Sequence, residues 1–377
     1  MISLYVHVPF CVQKCTYCDF VSFPYKPDIA HRYLRALEQE MCYYAERLSA
    51  GQKQVGTVFI GGGTPSILPA KDLAWLLEKL QHYFHWQPEA EVTVEANPGT
   101  LDKEKLLTLY RGGVNRLSLG VQACQPQLLQ VLGRIHNLNQ ALQAVDVARQ
   151  VGFNNLSMDL IFAVPGQSLT HWQQSLKILT ELEPQHISCY SLQLEDGTPL
   201  TAAVDRGELV RCDEDLELAM YNETISFLHR LGYQHYEISN FAQPGFQSKH
   251  NLVYWHNQEY LGLGPAAHSH LNSQRWANTG DINQYADAMK KGTPLLTEHI
   301  QLTVAASMSE TMFMGLRLLA GVNLNAFYRR FGRSVFDVWP EETAKLIKQG
   351  LIENTGSHLR LTPKGLPLAN IVFAEFV

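Results

Sequence analysis

The sequence has no excess of basic residues: 30 Lys and Arg stand against 36 Asp and Glu, a formal net charge of −6. A surface that neutralises a phosphate backbone needs the opposite balance, so nucleic acid is not an expected partner. No apolar run reaches the ~18 residues that a spanning helix requires, and no basic leader opens the sequence. A membrane span is therefore not expected, although peripheral membrane contact stays open. The seven cysteines, Cys11, Cys15, Cys18, Cys42, Cys124, Cys189 and Cys212, are odd in number and lack paired spacing. That disfavours a secreted disulfide framework and points to a reducing, cytoplasmic setting. Low-complexity tracts are absent as well. What remains, 46% hydrophobic and 18% charged over 377 residues, is the composition of a folded globular chain, with one large and one small domain as the expectation.

From Ile2 to about Glu195, short β-branched runs alternate with longer helical patterns, as in repeated βα units around a parallel sheet. The pattern predicts strands at Leu4–Val8, Val55–Ile60, Glu91–Glu95, Arg116–Leu119, Ser157–Phe162 and His186–Leu192. Helices are predicted at Tyr33–Leu48, Leu73–Tyr83, Lys103–Arg111, Asn139–Val151 and His171–Leu182. Six strands are two short of the eight that close a barrel, so the expectation is an α/β fold with a partial (β/α)6 barrel and a site at the strand C-terminal ends. Beyond Glu195 a long helix is predicted near Asp213–Leu231 and a strand near Tyr236–Ser239, followed by a Gly- and aromatic-rich stretch of little periodicity through Ser269. The last part reads as helices followed by a small hairpin, a winged-helix-like C-terminal helical domain without a basic face, and so a packing or interaction module. The expected division is 1–195 for the partial barrel, 196–300 for an extension and connecting segment, and 301–377 for the C-terminal domain.

Three thiols fall within eight positions, Cys11-Val-Gln-Lys-Cys15-Thr-Tyr-Cys18, directly after the first strand. Iron–sulfur clusters and structural zinc ions ordinarily take four protein ligands, so a trio with no fourth partner nearby leaves one metal position open. The spacing differs from ferredoxin patterns and from the CxxC pairs of zinc fingers and thioredoxins. Gly61-Gly-Gly-Thr-Pro-Ser66 follows the second strand, where glycines let backbone approach a ligand, though a tight βα turn explains them equally. Glu95 ends the third strand, placed to accept from ribose hydroxyls. Gln122 follows the fourth, Arg134 suits a ligand carboxylate, and Asp159 interrupts an otherwise apolar strand. His250, with Tyr254, Trp255, His256, His268 and His270, fits either an axial haem ligand beside aromatic rings or a hydrogen-bonded core residue in an aromatic cluster closing the barrel mouth.

Cys11-xxx-Cys15-x-Tyr17-Cys18, the Gly61–Ser66 run, Glu95-Ala-Asn-Pro98, Gly120-Val-Gln122, Leu132-Gly-Arg-Ile-His136, Asp159-Leu-Ile with Pro165-Gly-Gln167, and His250-Asn-xx-Tyr-Trp255 occur in this order. Together they resemble the radical S-adenosylmethionine (SAM) enzymes and, among them, the oxygen-independent coproporphyrinogen III oxidase family, most closely its HemW-type haem chaperone branch. The resemblance runs from about Leu4 to beyond Gly264. It implies a [4Fe-4S] cluster on Cys11, Cys15 and Cys18 with one iron left for SAM. It further implies Tyr5, Gly62, Gly63 and Thr64 at the methionyl end, Tyr17 near the adenine, and Glu95, Gln122, Arg134 and Asp159 on the ribose and remaining polar groups. His250 becomes the candidate haem ligand, with haem as cargo and haem-accepting proteins such as respiratory-chain components as partners. No catalytic residue is assigned, and a homodimer stays open. Two departures weigh against the oxidase activity: Phe20 stands where the oxidases carry a further cysteine, and the oxidases have an N-terminal extension before the Cys loop. A radical-SAM oxidoreductase acting on a porphyrinogen and a zinc-stabilised scaffold remain the alternatives.

Overall fold

In a computed structural model that describes residues 1–377, six segments of alternating character form strands β1 (Ile2–Val8), β2 (Gln54–Gly62), β3 (His85–Ala96), β4 (Arg116–Gln122), β5 (Leu156–Phe162) and β6 (His186–Ser191). They pair in parallel and in chain order. The helices between them, Pro27–Arg47, Ala70–Tyr83, Lys103–Arg111, Leu138–Val151 and Leu169–Thr180, include the predicted spans to within a few residues at their ends. Their starts are set by capping side chains: Asp102 accepts from the Lys105 amide, and Asn137 with Gln140 and Ser168 with His171 form reciprocal boxes.

Which face of each strand is apolar decides the architecture. Val92 and Val94, Leu117 and Leu119, Met158 and Leu160, and Ile187 and Cys189 join Leu106, Val145 and Leu176 of the helices in the main core. The opposite faces carry Thr93 and Glu95, Arg116 and Ser118, Ser157 and Asp159, and His186 and Ser188, and these converge on one cavity. Side chains from four successive strands meet at one cavity only where the sheet curls, so the layer is a partial barrel with a polar lumen. Closed eight-stranded barrels ordinarily fill that lumen with branched aliphatic residues.

The sheet extends well past the sixth strand. Tyr260–Leu263 pairs in parallel with β1, and His268–Leu271, Gln274–Asn278 and Leu296–Gln301 continue antiparallel from it. At the other edge Asn240–Ala242 pairs with β6 and Gln234–Glu237 lies beyond, giving twelve strands in all. The expectation of an irregular stretch through Ser269 is thereby corrected. Tyr260–Leu263 is buried at all four positions, so it shows none of the alternation that reveals a half-buried strand.

A second apolar core runs from Met308 to Phe376. It gathers the helices Val304–Gly315, Leu324–Phe331 and Pro340–Lys348 around a three-stranded antiparallel sheet of Val322–Asn323, His358–Leu361 and Ile352–Asn354. This module is fastened to the barrel by the Arg275–Glu310 ion pair at 2.6 Å, a 3.2 Å hydrogen bond from Asn257 Nδ2 to Thr311 Oγ1, and the Arg317 guanidinium over the Trp255 ring at 4.5 Å. No helix is long and apolar enough to cross a membrane.

Candidate functional site

A pocket of about 410 Å³ opens at the C-terminal ends of the strands. Eleven residues singled out in the sequence line it: Cys11, Cys15, Cys18, Tyr17, Gly62, Gly63, Thr64, Glu95, Gln122, Arg134 and Asp159. The Cys loop is anchored on both sides. Phe10–Cys11 pairs with Phe23–Pro24, while Thr16 gives its hydroxyl to the Val131 carbonyl at 2.7 Å and its amide to the Leu132 carbonyl at 3.2 Å. Close approach of β2 makes Gly63 obligatory, since a Cβ there would stand 2.6 Å from the Phe10 carbonyl oxygen. Gly63→Ala is expected to cost about 2 kcal/mol by this overpacking and to displace the loop, seen as a lower urea midpoint together with weaker SAM binding.

All three cysteines are free thiols. Thr64 Oγ1 donates to Cys11 Sγ at 3.6 Å and Arg134 Nη1 to Cys15 Sγ at 3.5 Å. Burial raises the Cys18 thiol. No three His, Cys, Asp or Glu side chains are gathered as for a single metal ion; in a [4Fe-4S] cluster each thiolate takes a different iron, so the sulfurs stand farther apart than around one ion. Arg134 Nη2 also donates to the Gly120 carbonyl at 2.6 Å, yet its Nε and the Oε1 of Gln122 are buried without a partner. Gln122 sits at a break in register between β4 and β5 with φ of 67°, a left-handed conformation costly for a residue with a side chain. Strained backbone and orphaned polar atoms at one pocket wall are what a polar ligand would satisfy.

Glu95 receives the Gly62 amide on Oε2 at 3.1 Å, but burial and then the nearby Asp159 charge push its carboxyl up to about 8. Asp159 is raised by burial too, against hydrogen bonds from Ser188 and Ser118, the latter at 3.1 Å to Oδ2. Burial thus disfavours the charged form of both acids, a cost that a cationic ligand beside them would offset.

Two expected residues stand elsewhere. Tyr5 does not line the pocket: its hydroxyl is hydrogen-bonded to His7 Nδ1 at 3.0 Å, and its ring stacks on Phe59 inside the barrel. His7 Nε2 in turn donates to the Val21 carbonyl at 2.8 Å, so Tyr5 props the Cys loop from below. His250 lies on the helix Lys249–Trp255 at the opposite, N-terminal end of the strands, fully buried. Its Nδ1 is hydrogen-bonded to Thr57 Oγ1 at 2.7 Å, its Nε2 to the Tyr254 hydroxyl at 2.8 Å, and its amide to Glu91 Oε1 at 3.1 Å. Burial lowers its pKa to about 3, so the ring is neutral. Thr57 is five residues before Gly62 along β2, roughly 17 Å by strand rise, which puts the motif at the barrel floor rather than its mouth. His250→Ala is expected to cost about 3 kcal/mol, because Thr57 and Tyr254 lose their partner and a void opens beside Phe59. A shift of the urea unfolding midpoint checks this; an unchanged midpoint would mean that the floor is not held by His250.

The sequence reading missed Ser118, which lines the pocket and holds Asp159, and Tyr190, whose ring is exposed at the rim. Ser118 stands across from Glu95 in the β3–β4 register, and Tyr190 lies two positions beyond Ser188, which stands across from Asp159, so period-two counting finds both.

A partial barrel of six parallel βα units, with a CxxxCxxC loop after the first strand and a polar pocket beside it, defines a radical SAM protein. Residues 5–179 match the Radical SAM superfamily and residues 302–368 the HemN C-terminal domain. The chain is 39% identical over all its length to "Heme chaperone HemW" of Bacillus subtilis, covering 99% of that protein. It is 38% identical over 272 residues to "Heme chaperone HemW" of Escherichia coli, 71% of this chain and 69% of the relative. It belongs to the HemW heme chaperone family. Among solved structures it resembles the radical SAM enzyme coproporphyrinogen III oxidase (HemN) from Escherichia coli, with a TM-score of 0.88 at 25% identity, covering 100% of this chain and 89% of that one.

Proposed function

We propose that this chain is a haem chaperone on a radical-SAM scaffold, binding a [4Fe-4S] cluster, SAM and haem, and passing haem to haem-dependent proteins such as components of a respiratory chain. The observation that carries the reading is the end-to-end likeness to the heme chaperone of Bacillus subtilis. Cys11, Cys15 and Cys18 hold three irons of the cluster. Gly62, Gly63 and Thr64 cradle the methionyl group, and Glu95, Gln122, Arg134 and Asp159 hold the ribose and the remaining polar groups of SAM. When bound, the cluster and SAM together supply one-electron reductive chemistry. Tyr17 covers the adenine side. Axial ligation of haem by His250 requires Thr57 or Tyr254 to release the imidazole, so a floor that opens is part of any role for that residue.

An anaerobic preparation assayed together for iron, sulfide, SAM and haem tests the proposal. One cluster, one SAM and stoichiometric haem per chain is the expected result; a loaded chain that binds no haem would overturn it. A His250→Ala chain that still folds, titrated with haem, separates ligation at the floor from binding elsewhere. The structural likeness to coproporphyrinogen III oxidase favours a second reading, a porphyrinogen oxidoreductase. Phe20, exposed at the pocket edge where the oxidases carry a cysteine, argues against it. Anaerobic incubation with coproporphyrinogen III and a reductant decides: vinyl product with 5′-deoxyadenosine supports the oxidoreductase, and the lack of both removes it.

A further inference from the structure

Below the pocket, inside the barrel, lies a second cavity of about 200 Å³. Strand register stacks its wall in two layers. Thr93 beside Arg116 and Ser157 beside His186 make the lower one; Glu95 beside Ser118 and Asp159 beside Ser188 make the upper. The layers are two residues apart along each strand, roughly 7 Å. An engineered apolar cavity of about 150 Å³ holds benzene, so this one has room for a molecule of about eight heavy atoms.

The two layers differ in charge. In the lower layer Arg116 is 2% exposed. Its Nη1 donates to Asn155 Oδ1 at 3.1 Å and to the Phe246 carbonyl at 3.0 Å, with Glu91 Oε2 at 3.8 Å. Its Nε and Nη2 make no hydrogen bond to the protein, which leaves one edge of the guanidinium fork free in a site that it lines. The upper layer presents the carboxyls of Glu95 and Asp159. Beside Arg116 in the lower layer, Thr93 Oγ1 is wholly buried and has no partner. His186 contributes nothing further, since Ser157 and Tyr236 occupy both its ring nitrogens at 2.8 Å.

A free guanidinium edge with an unpartnered hydroxyl beside it binds a carboxylate, and two buried carboxyls accept from an ammonium group. An anion alone would face the acids above, and a cation alone would face the arginine below. We propose that the lumen chamber binds a small zwitterion, an α-amino acid, with its carboxylate on Arg116 and its ammonium group toward Glu95 and Asp159. The chamber shares Glu95, Ser118, Asp159 and Tyr190 with the pocket above it and is independent of the haem reading.

The test is equilibrium dialysis of the intact, cluster-loaded chain with saturating SAM, using labelled L-alanine and L-threonine, with propionate and isopropylamine as single-charge controls. One amino acid per chain is expected, with both controls at least about tenfold weaker. Arg116→Gln and Asn251→Leu, the latter filling the chamber from its floor, should each weaken binding about tenfold or more while SAM stoichiometry stays at one. Should the Arg116 variant fail to fold, Asn251→Leu decides alone. Amino acids that bind no better than the controls would leave the chamber to water and overturn the proposal, as would full binding by a folded Asn251→Leu chain.

Discussion

Cys15→Ala is expected to yield a folded chain with almost no iron: from about four iron and four sulfide per chain to near zero, with SAM binding lost alongside. Each thiolate of the trio takes a different iron, so two cannot hold what three hold, and no fourth cysteine is available, since Cys42, Cys124, Cys189 and Cys212 do not line the pocket. The fold should tolerate the change. Cys15 is only partly buried on a loop at the pocket mouth, and its polar contact is Arg134, which keeps the Gly120 carbonyl. The thermal midpoint of the metal-free variant should therefore match that of the metal-free parent. Metal analysis with absorbance near 400 nm reads the result, and Cys42→Ala, on the outer helix, serves as the control with full iron. An iron-replete Cys15→Ala chain, or zinc in place of iron and sulfide in the parent, would sink the assignment of the trio.

The motifs at the strand ends were legible because a βα unit brings its own loop to the site: the Cys loop, the glycine run and Glu95 each follow a strand that short-range alternation reveals. What escaped depends on partners far away in the chain. Tyr260–Leu263 extends the sheet by lying beside β1, some 255 residues earlier in sequence, and a four-residue strand buried on both faces carries no period to count. His250 has the same difficulty. Its aromatic neighbours suit a haem site as well as a packed floor, and the choice is made by Thr57 and Glu91, which only the fold places beside it. The polar lumen was written in plain sight. Glu95 and Asp159 drew notice singly, whereas Thr93, Arg116, Ser118, Ser157, His186 and Ser188 repeat the same inward phase on neighbouring strands. Read strand by strand, each looks like an ordinary alternating segment; read across the register, they enclose a chamber.

Glu95→Gln is expected to stabilise the cluster-free chain at pH 8 while weakening SAM binding at least about tenfold. The folded protein keeps the Glu95 proton up to about pH 8, whereas the unfolded chain loses it near the ordinary carboxyl value of 4.5. Between these values the folded state binds the extra proton, so stability is complete at the acid end and falls as pH rises through the window. The full shift would amount to about 5 kcal/mol, and water in the pocket together with the shared titration of Asp159 brings the expected loss to on the order of 3 kcal/mol. Glutamine mimics the protonated acid and should flatten the curve. It should not flatten it fully, because Glu40 adds a slope of the same sign: burial pushes its carboxyl up to about 7, against hydrogen bonds from Tyr285 at 2.6 Å, the Gly264 amide at 2.7 Å and Asn278 at 2.6 Å. Glu40→Gln should therefore remove its own share of the slope, which ends near pH 7, and leave SAM binding intact, since Glu40 joins the helix Pro27–Arg47 to the Gly264 amide and the Asn278 side chain rather than lining the pocket. Urea midpoints of both variants at pH 5, 6.5 and 8, with SAM affinity on the reconstituted proteins, separate the two acids. A parent whose midpoint rises between pH 5 and 8 would show that neither carboxyl is held protonated by the fold.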